Sequence, residues 1–562
     1  MMRTLIFLTV ILFSCTQAQA SQLVGGDFEL LYEIPDPGFA SIGNAVSDAG
    51  DVNGDGFDDI IIGADWADPG GRWNAGTAYV LSGPTGAILH QFDGAAGHDR
   101  FGNSVSGAGD VDGDGMADVI VGAWTADPAG MTNAGSAYVY SGATGNLLHR
   151  FDGESDYAWL GYCVSGAGDV DADGFADLLV GSYGASANGR YRSGSVFVYS
   201  GLTGAELYRF DGALAGDELG RSVSDAGDVN ADGYADFIVG APAAAPIMYP
   251  WQGTVTVHSG LDGSILYDYQ GWRSYTRFGM SVTGVGDMDL DGYDDFLIGE
   301  PGRTVPNWWE DIEGAGMAYV YSGATGAEIQ RFEGNSEAGW LGYSVSGTGD
   351  VDGDGVPDCL VGSAFERQAE LFSGRTGKVL KEFFFVRTFG FALSGAGDVD
   401  GDGHADLVLG AGDHSFYGIP REGGVQVFRI TPFLYADSKE ISLAGGATIQ
   451  LDLNFPEASA ADPYRVLFST GGPGPTSYGV EIPLTRGILL ADSYAGIYPF
   501  TSYLDLQGTL DPFGNANASF VVQGGMLPSR LLGRSLWMAA VAMDPGLYPN
   551  LSSIAIRLHF VL

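Results

Sequence analysis

The sequence predicts an all-β protein, a seven-bladed β-propeller followed by a C-terminal β-sandwich. Three observations lead there. An aspartate-rich loop of nine residues recurs seven times, each copy sits among short apolar runs separated by turn residues, and the composition is rich in glycine (90 of 562 residues) but poor in Lys and Arg (25). Helical proteins spend heavily on Ala, Leu, Glu and Lys, whereas many short strands joined by tight turns consume glycine.

The repeat comes first, because a chain of this length would otherwise suggest three or more ordinary domains. The loops start at Asp51, Asp110, Asp169, Asp228, Asp287, Asp350 and Asp398, so the spacing is 59 residues four times, then 63 and 48. Within one period, FGNSVSGAG, VIVGA, GSAYVYS and NLLHRFDG read as four strands. Seven such units closed into a ring leave no long exposed sheet edge. The last unit stops after GGVQVFRI, one strand short, while residues 28–34 (FELLYEI) precede the first unit and resemble LLHRF and ELYRF. They are expected to complete blade seven, giving a propeller over 26–431.

The loops read DVNGDGFDD, DVDGDGMAD, DVDADGFAD, DVNADGYAD, DMDLDGYDD, DVDGDGVPD and DVDGDGHAD. Side-chain oxygens therefore stand at position 1 (Asp51, Asp110, Asp169, Asp228, Asp287, Asp350, Asp398), position 3 (Asn53, Asp112, Asp171, Asn230, Asp289, Asp352, Asp400), position 5 (Asp55, Asp114, Asp173, Asp232, Asp291, Asp354, Asp402) and position 9 (Asp59, Asp118, Asp177, Asp236, Asp295, Asp358, Asp406). Glycine at position 6 permits a sharp bend that turns in the main-chain carbonyl of position 7 (Phe57, Met116, Phe175, Tyr234, Tyr293, Val356, His404). Oxygen ligands in this pattern suit Ca2+, up to seven ions. Zinc would call for His or Cys, and magnesium for a tighter octahedron. The loops are not EF-hands, because position 12 is Ile, Val or Leu rather than glutamate. Three or four carboxylates this close repel one another without metal, so the ions are expected to be structural.

These units resemble FG-GAP repeats, which build the propeller of integrin α subunits. The first signature is carried by Phe101-Gly102, Phe278-Gly279 and Phe389-Gly390, with Ile-Gly or Leu-Gly in the other four units. Gly240-Ala241-Pro242 matches the second signature completely, and the other copies read GAD, GAW, GSY, GEP, GSA and GAG. The resemblance implies the propeller fold and calcium binding over 26–431. Integrin propellers typically hold calcium in only some blades, whereas all seven loops here have the ligands. No integrin leg domain or transmembrane helix is read in the sequence, so adhesion in the integrin sense is not implied.

Strand direction alternates, so the aspartate loops and SGxTG turns are expected on one face and the variable segments on the other. Nine of the ten tryptophans fall in those variable segments: Trp66, Trp73, Trp124, Trp251, Trp308 and Trp309 after strand two, and Trp159, Trp272 and Trp340 after strand four. Such rings can stack on sugars or anchor a protein partner, and they can equally pack between blades. The expected partner is an extracellular protein or glycan. The alternative is a polysaccharide hydrolase or lyase using loop carboxylates such as Asp156, Glu310, Asp311 and Glu337. No HExxH, GxSxG or paired histidine spacing occurs, and no catalytic residue is assigned.

The formal charge of −45 disfavours nucleic acid and anionic lipid. Residues 1–20 have the layout of a cleavable export signal: Arg3, an apolar run from Leu5 to Phe13, and Ala18-Gln19-Ala20. Acylation at Cys15 is the alternative, though the bulky Phe13 fits a lipoprotein box poorly. A secreted or cell-surface protein follows. No later stretch has the 18 or so apolar residues of a membrane-crossing helix. From 436 to 562 the period ends and alternating segments such as TIQLDLNF and YRVLFST suggest the sandwich.

Overall fold

The computed structural model describes residues 24–35, 41–245, 250–306, 311–352, 355–384, 391–411 and 424–432, together with strands between 434 and 561. The predicted export signal, Trp308, Trp309, Glu310, Asp354 and Phe389-Gly390 lie outside the described residues. The propeller segment consists of seven four-stranded antiparallel blades, the last of which continues by hydrogen bonding into the C-terminal strands. Blade two is representative, with strands Phe101–Gly109, Asp118–Ala123, Ser136–Tyr140 and Leu147–Asp152. The second strand follows its opening aspartate with an apolar run and is buried at every position in blades one to six, because it is covered by a neighbouring blade on each side.

Blade seven is assembled from both ends of the propeller segment. Phe391–Gly397, Asp406–Ala411 and Gly424–Pro432 supply three strands, and Val24–Pro35 supplies the fourth. Its register runs from Gly26 opposite Pro432 to Pro35 opposite Gly424. Arg429 adds an ion pair to Glu29 across the seam, 2.7 Å.

The core lies between blades rather than within them. Each interface holds one apolar cluster contributed by two neighbours, such as Val119 and Val121 with Ile61 and Val80, or Phe237 and Val239 with Leu179 and Val198. The ring closes through Ile60, Ile62 and Leu81 of blade one against Val408, Val425 and Val427 of blade seven.

Blade spacing has a specific cause. The glycine that ends strand two in one blade faces the glycine that opens strand one in the next. A Cβ on Gly63, Gly122, Gly181, Gly240 or Gly299 would collide with the carbonyl of Gly102, Gly161, Gly220, Gly279 or Gly342, respectively. Gly410 meets the carbonyl of Gly43 in the same way, so the contact also joins blade seven to blade one. The two glycines of the repeat signature are thus halves of one backbone-to-backbone contact.

Past Pro432 the described elements are strands. Gly446–Asn454 pairs with Asn515–Gln523, and Pro463–Ser469 with Ser535–Met543. These pairings do not show two packed layers, so the sandwich expected from the sequence is not established by them. Among the described residues no helix is long and apolar enough to cross a membrane. Cys359 is buried and Cys163 half-buried, both as free thiols.

Two outcomes test this arrangement. Gly181→Ala should destabilise the protein by about 2–3 kcal/mol, because the methyl group meets rigid backbone. Deleting residues 26–36 should lower the melting temperature sharply, and an unchanged value would contradict closure by the N-terminal strand.

Candidate functional site

Each aspartate loop is wound around its first carboxylate. The position 1 side chain accepts the amide of the position 6 glycine at 2.8–3.0 Å in all seven loops. Those glycines have φ between +86° and +94°, the left-handed region that an L side chain resists. The position 5 carboxylate accepts the amide of position 7, as in Asp114 with Met116 at 3.0 Å. Position 4 is also left-handed, at Gly54, Gly113 and Gly401 but also at Ala172, Ala231 and Leu290. That requirement is hidden in sequence because three of the loops meet it with a side chain.

Position 9 is a brace. Each of its seven aspartates has 0% exposure, and one oxygen accepts the amide of position 2, from Val52 to Asp59 through Val399 to Asp406. In blades one to six the other oxygen accepts the amide of the SGxTG glycine, for example Gly142 to Asp118 at 2.9 Å. Aspartate loop and turn therefore share one face. Blade seven has no such turn, and Asp406 Oδ1 is buried without a hydrogen-bond partner. Burial pushes these carboxyls up, to about 6 at Asp118 and Asp177 and about 7 at Asp236. Asp406 reaches about 8, from burial and then the charges of Asp400 and Asp402.

Among the described residues, neighbouring loops are also linked at five of the seven junctions, and the sixth loop has Pro357 at position 8, which carries no amide proton. The position 8 amide of one blade donates to the position 1 carbonyl of the preceding blade: Ala117 to Asp51, Ala176 to Asp110, Ala235 to Asp169 and Asp294 to Asp228, at 3.0–3.3 Å. Asp58 donates to Asp398 and carries the chain across the closure.

Five loops bring three carboxylates together with one oxygen from each within 4.8 Å of the others: Asp110, Asp112 and Asp118; Asp169, Asp171 and Asp177; Asp287, Asp289 and Asp291; Asp350, Asp352 and Asp358; Asp398, Asp400 and Asp406. In the other two loops position 3 is Asn53 or Asn230, which contributes a neutral oxygen instead. Asn230 Oδ1 is buried with no hydrogen-bond partner. Converging carboxylates and orphaned acceptors fit a hard cation that prefers oxygen.

The opposite face is built from the segments after strands two and four, which are tied together by backbone hydrogen bonds. Arg100 donates to Asn74, Trp159 to Asn133, Glu218 to Arg192, Arg277 to Trp251 and Trp340 to Gly314, at 3.0–3.3 Å. Arg100, Trp159, Glu218, Arg277 and Trp340 have φ of 56–60°, and Asn74, Asn133, Arg192 and Trp251 have φ of 49–57°. Left-handed backbone costs of order 1 kcal/mol or more in a residue with a side chain. The same strained frame is thus repeated from blade to blade while the side chain it displays changes.

The signature glycines, the linked aspartate loops and this frame recur with the period of the repeat, and comparison with known proteins gives the repeat its name. The chain carries FG-GAP repeats. The FG-GAP repeat pattern matches residues 44–81, 164–199, 221–258, 278–321 and 389–428, and a second pattern of the same repeat matches 87–140. The chain is 30% identical over 234 residues to integrin alpha-V of Gallus gallus, covering 39% of this chain and 21% of that protein. It is 29% identical over 281 residues to integrin alpha-4 of Xenopus laevis, covering 47% of this chain and 25% of that protein. The similarity is distant and spans a quarter or less of these relatives.

The FG-GAP frame sorts the predicted tryptophans into two groups. Trp73, Trp251 and Trp272 are exposed, at 66%, 47% and 71%. Trp66, Trp124, Trp159 and Trp340 are half-buried. Arg100 lies over Trp66 at 3.7 Å, Trp124 packs edge-on to Trp159 and Tyr162, and Trp340 meets Phe365. Of the carboxylates considered for catalysis, Asp156, Asp311 and Glu337 are exposed, and Asp156 accepts the amide of Thr132. His90 and His149 each hydrogen-bond the SGxTG glycine carbonyl of the next blade, at Gly142 and Gly201, which is a structural use.

Asp177→Ala should cost about 3 kcal/mol even without added cation, since it orphans the buried amides of Val170 and Gly201. Asp171→Ala should reduce stability only in the presence of the cation. Paired melting curves with calcium and with chelator distinguish the two roles.

Proposed function

We propose that the chain is an exported binding module in which calcium holds the scaffold and the varied face takes a protein or carbohydrate ligand. The observation that carries this reading is the segregation of the two faces. Every aspartate loop is committed to bracing its own blade, and among the described residues five of the seven accept an amide from a neighbouring loop, whereas the opposite face repeats one backbone frame and varies its side chains, as loops on a rigid scaffold do in recognition.

Calcium is the cation, held by the carboxylates of positions 1, 3 and 5, the position 7 carbonyl and the spare lone pairs of position 9, with Asn53 and Asn230 replacing one carboxylate each. Up to seven ions would bind. Extracellular modules hold calcium at about 10⁻⁴ to 10⁻³ M, which suits a structural ion. Residues 1–20 act as export signal, 26–431 form the propeller, and 436–562 form a β-sandwich. The exposed Trp251 and Trp272 are the first candidates for ligand contact, and Trp308 and Trp309 belong to equivalent segments. Binding is favoured over catalysis because Asp156, Asp311 and Glu337, the described carboxylates considered for acid–base work, are exposed.

An array of glycans and surface-protein extracts, probed with calcium, tests this. Trp251→Ala together with Trp272→Ala should abolish capture and leave the melting temperature within about 2 °C of the parent. Capture that survives both substitutions would contradict the assignment of the varied face.

A further inference from the structure

The chain has 70 Asp and Glu against 25 Lys and Arg, yet three arginines converge on the varied face. Arg192, Arg221 and Arg277, with Glu218, Trp251 and Met280, line a pocket of about 280 Å³. Glu218 is the one carboxylate among them, 2.9 Å from Arg192 and 3.8 Å from Arg221. Among the described residues Arg277 has no carboxylate within 4.0 Å. Its guanidinium instead lies over two indoles, 4.7 Å from the centre of Trp251 and 5.1 Å from that of Trp340. Arg221 stands over Tyr162 and Tyr183 at 5.1 and 5.0 Å. Arg192 Nε is buried with no hydrogen-bond partner.

Gathering three cations around one carboxylate is unfavourable by itself. Burial and the neighbouring Arg221 both work against the charge on Arg277. A chain this rich in carboxylates had ample means of pairing the group, and the left-handed backbone at Arg192, Glu218, Trp251 and Arg277 holds the constellation in place. Guanidinium donors without acceptors are what a bound anion completes.

We propose that this pocket binds an anionic sugar ring, carboxylated or sulfated, with Arg277 and Arg192 on the acid group and Trp251 beneath the ring. The assignment rests on the varied face being the binding face and specifies what that face selects. At about 280 Å³ the pocket sits at the lower limit of small-ligand sites, the size of a single ring rather than of a folded partner. The platform suits it too: Trp251 is 47% exposed and lies 6.4 Å from the ring of Tyr275, itself 64% exposed. The overall negative charge does not forbid the ligand, because exposed charges beyond about 10 Å are screened at 0.1 M salt and calcium offsets the opposite face.

The test is titration of the calcium-loaded protein with a glucuronate oligosaccharide, a sulfated oligosaccharide, the methyl ester of the first as neutral control, and poly-glutamate. A charged oligosaccharide should bind at least tenfold tighter than the ester and weaken as salt is raised, and the two charged probes tell carboxylate from sulfate. Arg277→Gln should remove that preference, Arg277→Lys should restore part of it, and Trp251→Ala should weaken charged and neutral sugars together. Should Arg221→Gln fail to fold because of its packing on two tyrosines, the Arg277 variants still decide. Equal affinity for the ester, unchanged binding by Arg277→Gln, or tighter binding of poly-glutamate would overturn the proposal. Neutral glycans captured through Trp251 with no charge preference would overturn it alone and leave the binding-face reading standing.

Discussion

The ring depends on how closely neighbouring blades approach at one point. Where strand two of one blade meets the start of strand one of the next, two backbones touch with no side chain between them, as at Gly181 and Gly220 or Gly410 and Gly43. That contact sets the distance at which the apolar clusters between blades can interdigitate, and a methyl group there would push the blades apart. Close packing leaves no slack to absorb such a shift. Repetition turns a local steric requirement into a global one, because among the described residues the contact recurs at six interfaces, including that of the seventh blade with the first.

The aspartate loops act at the same interfaces from one rim. Their first carboxylate shapes the loop, in blades one to six their last braces it to the SGxTG turn, and in five loops the position 8 amide reaches back to the loop before. A cation drawing the remaining oxygens together would stiffen an interblade belt rather than mark a place for a ligand. The other rim is free to diversify, since its frame is made by backbone hydrogen bonds and displays Arg, Trp, Glu or Asn at equivalent positions without being rebuilt.

Much of this was legible before any coordinates. Seven blades follow from a period marked by DxDxDG, four strands per blade from its apolar runs, and the N-terminal fourth strand of blade seven from a missing run at one end and a spare one at the other. The parity of the strands placed the aspartate loops and variable segments on opposite faces. What could not be read is carried by backbone atoms: the link from Ala117 to Asp51, the left-handed position 4 at Ala172 and Leu290, and the double duty of Asp177, which sequence presents only as one more oxygen. Tryptophan identity likewise said nothing of burial, so Trp124 and Trp272 looked alike. The arginine cluster escaped notice because residues 192, 221 and 277 stand far apart in sequence and at different places in the repeat.

The most direct test of calcium as an interblade fastening is amide hydrogen exchange measured with calcium and with chelator. The account predicts that removing calcium deprotects Ala117, Ala176 and Ala235, whose amides link one loop to the next, while Arg100, Trp159 and Arg277 on the opposite face keep their protection. Unchanged exchange at the linking amides, or equal loss on both faces, would contradict it.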